Sequence, residues 1–98
     1  MIMFYHVVLF KLKDSSEENL DKAKELLQSM EGKIPQLKGL TVGKDVLNSV
    51  RSYDICLITT FDSQEDMDEY QMHDYHVNTI LKNLRPMLEA SKACDFFA

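Results

Sequence analysis

Between residues 3 and 12 (MFYHVVLFKL) apolar and aromatic side chains occupy both parities. Met3, Tyr5, Val7 and Leu9 fall on one side and Phe4, His6, Val8, Phe10 and Leu12 on the other, which predicts a strand apolar on both faces. Ser15 followed by Glu18 has the spacing of a capping box, and Leu20, Ala23, Leu27, Met30 and Ile34 then recur at steps of three and four. This predicts an amphipathic helix ending near Gly32. Pro35 and Gly39 mark a turn, and LTVGKDVL (40–47) reads as a more polar edge strand with Gly43 as its bulge. After a polar loop at 48–52, YDICLITTF (53–61) reads as a third strand, with Tyr53, Ile55, Leu57 and Phe61 opposite Cys56 and Ile58. Asp62 or Ser63 caps a second helical region whose inward face holds Met67 and Tyr70. A further helical segment carries Val77, Ile80, Leu81 and Leu84 on one stripe, Pro86 interrupts it, and KACDFF (92–97) alternates as a short fourth strand.

Strand, helix, strand, strand, helix, strand is a pair of strand-helix-strand units. Right-handed crossovers place both helices on one face of a four-stranded antiparallel sheet, the ferredoxin-like α+β arrangement. The other face then carries Val7, Leu9, Cys56 and Ile58 with no segment left to cover them. An apolar sheet face of that size marks an interface, so a homodimer packed sheet to sheet is expected; a helix or long loop over that face is the alternative.

Composition narrows the class. The 98 residues make one domain, 1–98, and 16 acidic against 11 basic residues leave a net charge of -5, which argues against a nucleic-acid or anionic-membrane partner. The apolar start from Met1 to Phe10 is well short of the roughly 20 residues a spanning helix needs. Neither the basic start nor the small-residue cleavage site of a secretory signal stands near the N-terminus, so none is expected. Cys56 and Cys94 lack a CxxC spacing, which suits reduced thiols in a cytoplasmic protein.

The candidate chemistry lies in the histidines: His6 on the first strand, and His73 and His76 in MHDYH, with Tyr70 three residues before His73. If the helix runs through them, Tyr70, His73 and His76 share broadly one side. The HxxH pair lacks the i, i+4 spacing of a helical zinc motif and has no evident fourth ligand, so no metal is expected. The three dispersed glycines build no phosphate loop, so no nucleotide or other cofactor is expected. Each of these side chains also has a plain structural account, as a satisfied core histidine or an ordinary core aromatic.

The blocks HVVLFKLKD (6–14), Ile34-Pro35 with Gly39, the strand ending at Phe61, and DSQEDMDEYQMHDYH (62–76) resemble the stress-responsive dimeric α/β-barrel proteins, or Dabb domains. The resemblance runs in register from about His6 to Val77, with the family's usual H-P-x-H written here as His73-Asp74-Tyr75-His76. It implies a ferredoxin-like subunit that pairs with a second copy into a dimeric α/β barrel, in a family holding plant stress proteins and a plant polyketide cyclase. In that cyclase the equivalents of His6, Tyr70 and His76 line a cavity between sheet and helices. Its third-strand histidine and first-helix tyrosine correspond here to Ile55 and Leu27.

The expectation is therefore a protein of unassigned activity that binds a small apolar or aromatic molecule through His6, Ile55, Leu27, Tyr70, His73 and His76. The alternatives are a lyase or cyclase, with His76 as base and Tyr70 and His6 polarising a carbonyl, and a purely structural stress-related dimer.

Overall fold

The computed structural model describes residues 2–98. Its elements are β1 (Phe4–Leu12), α1 (Glu17–Gln28), β2 (Gly39–Lys44), β3 (Ile55–Phe61), α2 (Gln64–Met72), a π-helical segment (Tyr75–Leu81) continued by a short helix α3 (Lys82–Leu84) and a 3-10 turn (Arg85–Met87), and β4 (Leu88–Phe97). The strands lie in the order β2-β3-β1-β4, with every neighbouring pair antiparallel. This is the ferredoxin-like fold: a four-stranded antiparallel sheet with its helices on one face. A single chain leaves the sheet open and not closed into a barrel.

Strand parity explains the layers. Phe4, His6, Phe10 and Leu12 of β1 and Ile55, Leu57, Thr59 and Phe61 of β3 are buried beneath the helices, whereas the residues between them are not. α1 adds Ala23 and Leu27, followed in the next turns by Met30 and Ile34, and α2 adds Met67 and Tyr70. The reverse face presents Val7, Leu9, Cys56 and Ile58, flanked by the stacked rings of Tyr5 and Phe96.

Several local expectations are corrected. Ser16, not Ser15, caps α1, accepting the Asn19 N–H while its own N–H donates to Asp14, and α1 ends at Gln28, before irregular turns that reach Gly32. Gly43 keeps regular pairing with Cys56. The irregularity falls instead in β4, where Lys11 pairs with Ala90, Leu12 with Leu88, and Glu89 is skipped. Ser63 is the cap of α2, accepting from Asp66 N–H at 3.1 Å. β4 is ten residues long because Leu88–Ala90 already pair with the end of β1; its exposed polar residues weaken the alternation by which a strand is recognised.

The largest departure follows α2. The helix stops at His73, whose ψ of 138° is extended, so His73 and His76 do not lie on one continuous helix. No proline is required for the break, because the His73 imidazole accepts the N–H of Tyr75 at 3.1 Å and caps the segment that follows. That segment is wound wider than an α-helix, so Ile80 and Leu84 turn inward while Val77 is 40% exposed, off the predicted stripe.

Candidate functional site

A cavity of about 320 Å³ lies between the sheet and the helical segments, within the usual range for small-molecule sites. Val8 and Phe10 of β1 and Leu57 of β3 form its floor. Leu27 of α1 closes one wall, and Ile80, Leu81 and Leu84 form another. Ser91 and Ala93 of β4 and the side chain of Arg85 border it at the exposed edge of the sheet.

His6, Tyr70, Gln71 and His76 supply polar groups to the lining. β1 directs His6 under the helices by parity, α2 brings in Tyr70 and Gln71, and the π-helical segment turns His76 back toward Tyr70. Their rings cluster: Tyr70 and His76 have centroids 4.5 Å apart, and His6 meets Tyr70 edge-on at 6.3 Å. All three are at least nine-tenths buried, at 8% exposure for His6, 1% for Tyr70 and 6% for His76.

Hydrogen bonds set the orientation of each imidazole. Strand register places Asp95 directly opposite His6, and His6 Nδ1–H donates to the Asp95 carboxylate. A carboxylate only accepts, so Nδ1 is the donor of that pair, and the Gln71 amide N–H faces Nε2 on the other side of the ring at 3.4 Å. His76 Nδ1–H donates to the Gln71 carbonyl at 3.0 Å, leaving its Nε2 as an acceptor too. Burial holds the His76 pKa below the ordinary histidine value. The Gln71 carbonyl bond opposes that shift, while the fields of His6, Arg85 and His73 add to it. Burial raises the Tyr70 phenol well above its usual range, so it stays a neutral donor. It donates to the Met30 sulfur at 3.5 Å, a weak acceptor that a ligand carbonyl would outcompete.

Of the residues singled out in the sequence, the fold brings His6, Leu27, Tyr70 and His76 together around one cavity. Ile55 shares the sheet face of His6 but is fully packed away from the cavity, and Leu57 is the β3 side chain on its floor. His73 lies outside, occupied in the turn after α2. Sequence reasoning missed Asp95, Gln71 and Arg85. The only sequence signal for Asp95 was its parity in the KACDFF strand, and its pairing with His6 spans 89 residues. Among the described residues no group of three or more His, Cys, Asp or Glu side chains converges as a metal site requires. None of the described helices is long and apolar enough to cross a membrane.

The fold and cavity define a ferredoxin-like α+β domain with a small-molecule-sized chamber under its helices. The chain belongs to the stress responsive A/B barrel domain family, which matches residues 4–98. Among solved structures it is similar to a dimeric ferredoxin-like protein of unknown function from Thermobifida fusca, at 25% identity and TM-score 0.83, covering 97% of this chain and 90% of that one. A dimeric protein of unknown function from Bacteroides fragilis is 28% identical, with TM-score 0.80 and coverage of 96% and 94%. A hydroxynitrile lyase from Passiflora edulis shares the fold at 17% identity, with TM-score 0.75 and coverage of 98% and 93%. No curated protein matches the chain.

Proposed function

We propose that this protein binds a small apolar or aromatic molecule in the cavity between sheet and helices, and does so as a homodimer joined through the open sheet face. The cavity carries the first part: about 320 Å³ with aliphatic walls and the clustered His6, Tyr70 and His76 rings at one end, a combination that favours a flat, weakly polar ligand. The open sheet face of Val7, Leu9, Cys56 and Ile58 supports the second, as do similar structures described as dimeric. The two free thiols, Cys56 and Cys94, suit a reducing, cytoplasmic setting.

Calorimetric titration with small phenols tests the cavity. His6→Ala and Tyr70→Phe should each weaken binding by about fivefold, the scale of one lost hydrogen bond, and the surface change Lys24→Ala should not. Equal binding by all variants would sink the assignment.

A second reading, a lyase- or cyclase-type enzyme, is favoured by one observation: His76 has Nδ1–H tied to the Gln71 carbonyl, which leaves Nε2 as a base without a partner. In it His76 removes a proton beside a carbonyl that Tyr70 polarises, the His6 N–H being held by Asp95 and the phenol exchanging Met30 for the developing oxyanion. Turnover of an enolisable aromatic ketone, lost in His76→Gln, distinguishes catalysis from binding alone.

A further inference from the structure

Among the described residues Arg85 is the one formally charged side chain that borders the cavity. It forms no ion pair with a carboxylate among the described residues, and Asp95 of β4 is taken by His6. The placement is unusual for a chain of net charge -5, whose overall field repels anions. An unpaired guanidinium at the rim of an otherwise uncharged chamber suits recognition of a carboxylate, which it can grip through two parallel N–H donors.

The strand register sets the distance between the two polar ends. His6 pairs with Asp95 and Phe10 with Ser91, so about 13 Å of strand separates the imidazole end from the Ser91 end. Arg85 opens the turn into β4 at Leu88, which pairs with Leu12. Its backbone therefore lies at the Phe10–Leu12 end, beyond Ser91. A ligand filling the cavity along β1 and β4 is elongated, with an acidic group at the Arg85 rim.

We propose that the cavity is selective for elongated monocarboxylic acids with an aromatic or alkyl body, the carboxylate on Arg85 at the β4 rim and the body lying in the chamber along Val8 and Phe10 toward His6. This rests on the small-molecule reading above and adds the charge and shape of the ligand. The electrostatics around His76 agree. His76 is faced by Tyr70 and His73 of the α2 region, by His6 of β1 and by Arg85. A carboxylate on Arg85 cancels part of the positive field that disfavours protonated His76, so an acid should bind with partial proton uptake there and a neutral analogue without it.

The test uses 4-hydroxycinnamate and its methyl ester, which share one body and differ in charge. With the wild-type chain the acid should bind at least about fivefold more tightly than the ester, a preference that falls as sodium chloride is raised. The ring protons of His76 should titrate at higher pH with the acid bound and not with the ester. Arg85→Gln should weaken the acid alone and abolish the preference, while Arg85→Lys keeps part of it. Equal affinity for acid and ester, or a preference that survives Arg85→Gln, overturns the inference. Ala93→Trp, at an exposed lining position, separates the two levels of the argument. If it blocks both compounds while they bind wild type equally, the cavity reading stands and the carboxylate inference falls. If both compounds bind it as they bind wild type, or if neither compound binds wild type, both fall.

Discussion

Protonating His76 works against its surroundings, and this makes the residue a pH-dependent part of the fold. Its folded pKa lies below the unfolded value of about 6.5, chiefly through burial. Below that unfolded pKa the unfolded chain binds the extra proton more readily than the native one. Stability should therefore be fully present above about pH 6.5 and decline as the pH falls through the window down to the folded pKa. Urea midpoints at pH 7.5 and pH 5 should differ by less in His76→Gln than in wild type; the same drop in both would remove His76 as the source. At this scale the sequence was a good guide to the aromatic and imidazole cluster, since His6, Tyr70 and His76 could be named from strand parity and motif. It was a poor guide to what orients them. Asp95, Gln71 and Arg85 act through pairings and proximities across separate elements, for which no local pattern exists.

The segments that carry these residues were predicted in order and type, and the misplacements share a cause. Periodicity at 3.6 residues put Val77 on the inward stripe, but the segment from Tyr75 to Leu81 is wound wider, which advances the phase and leaves His76 and Ile80 inside. The break before it depends on the His73 side chain standing in for a capping residue. Asparagine is a strong cap and leucine is not. His73→Asn should therefore keep the urea midpoint near wild type, while His73→Leu should lower stability by about 1 kcal/mol. Neither should change the affinity of a cavity ligand as His6→Ala does. A large loss of ligand binding in His73→Asn, with stability intact, would place His73 in the site after all.

For the molecule as a whole, the open sheet face is the main debt left by a single chain. Leu9 is 39% exposed and sits between Cys56 on β3 and Lys92 on β4, beside the half-buried Val7 and Ile58. Sheet-to-sheet pairing predicts sedimentation at twice the 11.4 kDa of the chain at micromolar concentration. Leu9→Asp, which sets a charge in that interface, should yield a monomer with a lower urea midpoint. A wild-type chain that sediments as a monomer contradicts the pairing. The fold class, the two-faced strands and this bare face were all legible in the sequence, because the alternation of strands and the recurrence of helices are local consequences of where apolar side chains must point. What only the tertiary structure decided was the space between the layers. The cavity exists because the wide segment after α2 and the long β4 fail to fill the sheet beside Val8 and Phe10, and packing gaps arise from distant parts fitting imperfectly, which no run of residues encodes by itself.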